Sequence, residues 1–463
     1  MRTRARTTTV LSAMLLLAAT ACGSGEEPAE EGGGSLTVWT LENLPDRLAA
    51  QQSLAQRFSE QTGIAVELVG IDEDQFSQLI TSSAAGGDLP DVVGALSLTG
   101  VRSLAADELL DPDTAGRVVE ELGADTFSPR ALELTRDGDT QLAVPSDGWA
   151  QLLLYRKDLF AAAGLPEPKT FADVTAAAQR LNTDGVAGFL GGTAAGSAFT
   201  QQTFEHLALA DGCEMVDDGG EVTLDSPQCV DALSFYNDLI RNSSVPGAQD
   251  EDTTRAAYFA GQGAMLVWSS FILDELAGLR ADAAPSCPEC AADPRFLVDN
   301  TGVVTALTGP QGTEPAQYGE VVSWAVLADA DTDPAGQFVR FMMSDGYQDW
   351  LGFAPEGKFP TRTGTADSPN QYVDAWRALP AGVDTKAPLS QFYPAEVLDT
   401  LGTSVDTFRR WGITQGQGDL IGATLGELPL PQAIAAMTSG ATDPAAAAAQ
   451  ADADVTEIQD SLR

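Results

Sequence analysis

Between Leu36 and Leu96 the chain alternates short apolar runs with amphipathic stretches, and this alternation restricts the fold more than any other feature. Leu36–Thr40, Ala65–Gly70 and Asp91–Leu96 carry strand patterning. Asp46–Glu60 sets Leu48, Leu54, Ala55 and Phe58 on one helical stripe, and Asp74–Ala85 turns Phe76, Leu79 and Ile80 inward. Strand–helix–strand at this spacing implies a parallel sheet with right-handed crossovers.

The pattern breaks at Ser146-Asp147-Gly148-Trp149, after the strand-like Leu142–Pro145, and Ala-rich helices follow. Thr170 with Asp173 reads as a capping box for a helix through Leu181. Ser226-Pro227 opens another, with Val230, Leu233 and Ile240 inward. Strands return at Ala264–Trp268, Gly302–Leu307 and Val321–Leu327, and a helix carrying Phe338, Phe341 and Met342 starts at Asp333-Pro334. The C-terminal part reads as helical to about Leu430, and Ala445–Ala449 begins a polar tail (441–463).

Met1–Ala21 has the parts of an export signal: Arg2, Arg4 and Arg6, then the apolar Val10–Ala19, too short to span a bilayer. The small residues before Cys22 resemble the lipobox of bacterial lipoproteins, in which the Cys is lipidated; cleavage of an ordinary signal near Ala21 is the alternative. Residues 22–35 hold no large apolar run and read as a flexible tether. No other segment is long and apolar enough to cross a membrane, so a body tied to the outer face of the cell membrane by its lipid alone is expected.

Composition excludes several functions. The chain has 67 Asp plus Glu against 25 Lys plus Arg, a formal charge of −42, and no basic block to neutralise phosphates, which argues against nucleic acid. A single His, His206, removes most metal sites and imidazole triads; it sits beside Phe204 and Leu207 and reads as structural. No cofactor or metal is expected. The four Cys beyond the leader would lie where disulfides persist, so Cys213 is expected to pair with Cys229 and Cys287 with Cys290; a redox CxxC or a tetrathiolate zinc site are the alternatives.

Several segments together resemble the family 1 extracellular solute-binding proteins of ABC importers, the group of maltose-binding and glycerol-3-phosphate-binding proteins. They are Leu142-Ala-Val-Pro-Ser-Asp-Gly-Trp149 with Leu154-Tyr-Arg-Lys-Asp-Leu-Phe160 and Pro168-Lys-Thr-Phe171, Tyr258-Phe-Ala-Gly-Gln-Gly-Ala-Met-Leu-Val-Trp268, and the series from Gly309-Pro310 through Tyr318-Gly319 and Asp333–Met343 to Lys358-Phe-Pro-Thr-Arg362. The resemblance spans roughly 400 residues. It implies a type II periplasmic-binding-protein fold: two α/β lobes, 36–146 plus 321–355 and 147–320 plus 356–440, joined by a hinge and separated by a ligand cleft. Ser146, Asp147 and Gly148 are the hinge candidates.

Ligands on open sheets sit beyond the C-terminal strand ends. A sugar offers C–H faces to aromatic rings and hydroxyl edges to carboxylates, amides and Arg. Candidate contacts are therefore Trp39 and Glu42 after the first strand, Asp72 and Glu73 after the second, Trp149 after the break, and Trp268 with Ser269. Tyr318 stands at a position that lines the pocket in the family, and Arg362, Tyr393 and Trp411 come from the C-terminal segment; Trp324, inside an apolar strand, reads as core. The leading expectation is a monomeric, non-enzymatic receptor that passes a di- or oligosaccharide to the transmembrane subunits of an ABC permease. A cationic or glycerophosphodiester solute is the alternative within that class; a glycosidase using paired carboxylates and a sensor accessory lipoprotein are the readings outside it.

Overall fold

The computed structural model describes residues Gly34–Arg463; the export signal, Cys22 and nearly all of the tether lie outside the described residues. Strands β1 (Ser35–Thr40), β2 (Ala65–Gly70) and β3 (Val92–Leu96) pair in parallel in the order β2-β1-β3. The connecting helices are Pro45–Thr62, which buries Leu54, Ala55 and Phe58, and Glu73–Gly86. The latter buries Phe76 and Ile80, one turn apart, but leaves Leu79 37% exposed, against the expectation that all three point inward.

A small hairpin of β4 (Arg136–Asp137) and β5 (Thr140–Gln141) precedes β6 (Val144–Arg156), the longest strand. Through Ala150, β6 pairs antiparallel with β9; from Gln151 onward it pairs with β7 (Met265–Ser269) and β8 (Thr301–Val304). β9 (Gln317–Val326) closes on β3 at its other edge. Strand β10 (Phe359–Pro360) pairs with β6 at Asp147 and Gly148; the hairpin of β11 (Pro380–Ala381) and β12 (Ala387–Pro388) stands apart; and β13 (Phe408–Arg409) joins the start of β9. One sheet edge thus continues into a second set of strands through β6. The expected hinge residues Ser146–Gly148 fall inside β6, fully buried, beside a register shift between Pro145 and Asp147.

Alternation along the two crossing strands separates their faces. Gly148 and Gly319 face the ring of Phe408: a Cβ on Gly319 would stand 2.0 Å from its Cγ, and one on Gly148 would meet Cε2 at 2.8 Å and Glu320 O at 2.9 Å. Only glycine admits the ring at both positions.

The largest core runs from Leu36, Phe58 and Trp324 through Ala150 to Trp268 and Leu276; a second gathers Leu153, Phe204, Val267, Trp411 and the C-terminal helices. The expected capping box at Thr170 and the Ser226 N-cap are present. Cys213–Cys229 and Cys287–Cys290 are disulfide-bonded. The segment expected to be a polar tail is instead an ordered helix, Pro444–Ser461. Asp443 caps it, accepting from Ala446 N, and it buries Ala447, Ala448, Ala451, Val455 and Ile458. Alanine carries too little apolar surface to mark a face by hydropathy, but it lets neighbouring helices approach closely.

Candidate functional site

The opposite face of the crossing strands lines a cavity of about 470 Å³. From β6 come Asp147 and Trp149; from β9 come Tyr318, Glu320 and Val322. Glu42 and Arg47 enter beyond the C-terminal end of β1, Glu73 from the start of its helix, and Ser97 and Thr99 beyond the end of β3. Asn43, Gln202, Phe271 and Lys358 complete the polar and aromatic lining. The volume falls within the usual range for small-molecule sites.

Three rings stand together. Trp149 is 5.7 Å from Tyr318 and 6.2 Å from Phe271, both tilted, and Arg410 lies 4.7 Å from the centre of the Tyr318 ring. Tyr318 is held through its backbone, whose N–H donates to His206 Nδ1 at 3.3 Å. His206 is fully buried, and that burial lowers its imidazole to about 4, which fits the structural role expected of it.

The charges facing the cavity are matched within the wall. Lys358, 2% exposed, places its ammonium 2.5 Å from Glu42 and 3.3 Å from Asp147, with the Trp350 ring 4.3 Å away. Arg47 donates to the other Glu42 oxygen at 2.7 Å. Burial works to raise the Glu42 carboxyl, but Lys358 and then Arg47 outweigh it and hold the group at about 2. Asp147 Oδ1 accepts from Trp350 Nε1 and from Ser146 Oγ, both at 2.6 Å. Glu320 accepts from Leu98 N at 2.8 Å and pairs with Arg410, which also reaches Glu205 at 3.3 Å. Among the described residues, no group of three His, Cys, Asp or Glu side chains is placed to hold a metal ion.

Of the residues flagged in the sequence, Glu42, Glu73, Trp149, Tyr318 and the hinge candidate Asp147 meet at this cavity. The others lie elsewhere, so of the candidate indoles Trp149 alone lines the cavity, with Phe271 and Tyr318. Trp39, half-buried, packs with Leu41 and Val69 against Ile71, Phe76 and Ile80. Trp268 is buried against Phe199, with Arg255 over its ring and its Nε1 donating to Glu251 O. Ser269 ends the same strand opposite Gln151, and exposed Asp72 precedes the helix begun by Glu73. Arg362 is buried and donates to Thr126 Oγ1, Met343 O and Leu122 O, tying segments of the fold together. Tyr393 and Trp411 are buried donors to Leu273 O and Cys213 O. Lys358, Arg47, Phe271 and Glu320 escaped the sequence reading. Lys358 left a trace, being one of four Lys in the chain and flanked by Gly357 and Phe359.

Two α/β halves joined by crossing strands, with a cavity at the strand ends between them, define a solute receptor of the type II periplasmic-binding class. The chain matches the family model for bacterial extracellular solute-binding proteins over residues 42–349 and belongs to that family. Its members are transport binding proteins and not enzymes, working outside the cytoplasm. An ABC transporter periplasmic-binding protein of Escherichia coli K12, YcjN, is 27% identical over 394 residues, covering 81% of this chain and 86% of that protein. A mannitol-binding protein of Pseudomonas aeruginosa is 27% identical over 270 residues, 55% of this chain and 60% of its own length. The GacH receptor of Streptomyces glaucescens, solved unliganded and with acarbose, superposes with a TM-score of 0.66 at 20% identity, covering 92% of this chain and 99% of that one.

Proposed function

We propose that this protein is the solute receptor of an ABC importer that captures a neutral carbohydrate in the cavity between its halves and delivers it to the permease transmembrane subunits. The observation that carries this reading is the trio Phe271, Trp149 and Tyr318 on a wall whose facing cations are already paired. Aromatic faces suit the C–H surface of a sugar ring. Glu42, Glu73, Glu320 and Gln202 offer acceptors, and Gln202 also donors, for hydroxyls. Lys358 and Arg47 are engaged by Glu42 and Asp147, so an anionic solute finds no uncommitted cation there and must compete for one. The cavity size suits a mono- or disaccharide better than a long chain.

Closure is proposed to hinge on Ser146–Gly148 in β6, beside the register shift between Pro145 and Asp147. Export by Met1–Ala21 and lipidation at Cys22 are proposed to hold the receptor, as a monomer, at the outer face of the membrane. The reading is tested by a thermal-shift screen of the purified protein against sugars, alditols, polyamines and glycerophosphodiesters. A solute at 100 times its dissociation constant stabilises a fold by about 2.7 kcal/mol. A shift with a sugar, lost in Trp149→Ala, is the expected result; silence across all sugars with a response to a polyamine or glycerophosphodiester would reject it.

A further inference from the structure

Gln151 and Gln201 are both fully buried, and neither the nitrogen nor the oxygen of either side-chain amide has a hydrogen-bond partner among the described residues. Alternation along β6 sets Gln151 on the face of Asp147 and Trp149, one step beyond the cavity that those two line. Across the sheet Gln151 stands opposite Ser269, and the next pair on that face, Leu153 and Val267, belongs to the second core. Gln201 lies in the helix Ala198–Ala210, which packs on β6 and β9. It precedes Phe204 and Ala208 by the three- and seven-residue steps of one helical face, and both of those join the same core. Its neighbour Gln202 lines the cavity. The two amides therefore top this core at its cavity end, one layer below Trp149 and Gln202.

A buried amide without partners lowers stability, and an apolar group of the same shape in its place is neutral or stabilising. Met, of nearly the same length, would extend the apolar stripes of Leu153 and Phe204 without that loss. The two amides present both donors and acceptors and carry no charge, which matches water and hydroxyls and gives an ion no counter-charge. From this arrangement we infer that Gln151 and Gln201 are specificity-determining residues of the solute site, which hold buried water on their amides and through it bind hydroxyls of a neutral, polyhydroxylated solute. Buried water commonly makes about three hydrogen bonds to groups that lack other partners, and a water-bridged contact is nearly as favourable as a direct one. The inference rests on the reading of the cavity as the solute site, but two of its three measurements use no solute.

The test compares the wild-type protein with Gln151→Met, Gln201→Met and the double variant. A crystal structure of the wild-type protein should show ordered water within hydrogen-bond reach of both amides, and the double variant should show none there. The melting temperature without solute should stay level or rise in the variants, whereas amides with a structural role would lower it. Calorimetric titration with glucose, maltose and mannitol then reads function: the compound that binds should lose affinity about tenfold or more in the double variant. Amides that are dry or bonded to protein groups in the wild-type crystal, or a melting temperature lowered in both single variants, would overturn the inference. Binding that persists in the double variant to within about twofold would overturn it as well and leave the carbohydrate reading intact. Silence from all three compounds, with ordered water on both amides and melting level or raised in the variants, would count against the carbohydrate reading alone.

Discussion

Lys358 holds its ammonium 2.5 Å from Glu42, a carboxylate 316 positions earlier in the chain, and so ties the loop after the first strand to the segment leading into β10. With Asp147 at 3.3 Å and the Trp350 ring beneath it, this buried cation is the electrostatic centre of the cavity wall. Removing one partner of a buried pair leaves an uncompensated charge. Lys358→Met is therefore expected to lower unfolding stability by about 3–5 kcal/mol, read as a drop in the urea midpoint. A loss below about 1 kcal/mol would mean that Arg47 alone satisfies Glu42.

Stability should also depend on pH in two opposite ways. Glu42 is held at about 2, below its ordinary 4.5, so its contribution, about 3 kcal/mol, is complete above pH 4.5 and is lost as pH falls toward 2. Glu214 and Glu275 are raised to about 7, chiefly by burial; Asp274 is raised by burial and by Glu356, and Glu356 by burial. These groups bind more protons folded than unfolded between pH 4.5 and 7, so stability falls as pH rises through that window. The melting temperature is expected to peak near about pH 5 and to lie about 5 °C lower at pH 8. Asp274→Asn/Glu356→Gln should flatten the decline; a wild-type melting temperature that rises from pH 5 to pH 8 would refute this balance.

The fit of Phe408 over Gly319 makes a further expectation. Gly319→Ala drives a methyl into the ring, and such overpacking costs about 1–3 kcal/mol. Phe408→Ala costs stability by itself, but the double variant should be more stable than the sum of the single losses predicts. Strict additivity in urea titrations would show that the ring and the glycine do not constrain each other.

Trp149 and Trp268 should separate cleanly. Trp149→Ala removes a ring from the cavity and is expected to weaken binding of the screened sugar by tenfold or more, about 1.4 kcal/mol. Trp268→Ala removes a buried ring away from the cavity and should cost stability, about 3–5 kcal/mol, with affinity little changed in the folded protein. Fluorescence or calorimetric titration of both variants distinguishes them, and the reverse pattern would move the site.

The break expected at Ser146 is continuous strand within β6, but the parallel βαβαβ start was legible because periodicity is a local signal. The two disulfides and the Thr170 cap were legible for the same reason. Side-chain destination was less so. Trp39 and Trp268 stand at or near strand ends, but period-two alternation says only that neighbours face opposite ways, not which face a helix will cover. Tyr318 and Trp149 entered the cavity because Gly319 and Gly148, one step along, turn the opposite face to Phe408. Lys358 was silent because its partners Glu42 and Asp147 are hundreds of positions away, and no local pattern joins them. The last helix hid behind alanines, whose small size serves close packing and not hydropathy.

The most direct test of the central claim is calorimetric titration of the purified protein with the sugar that responds in the screen, at low and at high salt. A neutral solute held by rings and hydroxyl contacts should show an affinity that changes less than about twofold between the two conditions, since screening acts on exposed charge. Binding should also vanish or fall steeply in Trp149→Ala. An affinity that collapses with added salt, or tight binding confined to a polyamine or a glycerophosphodiester, would contradict the account.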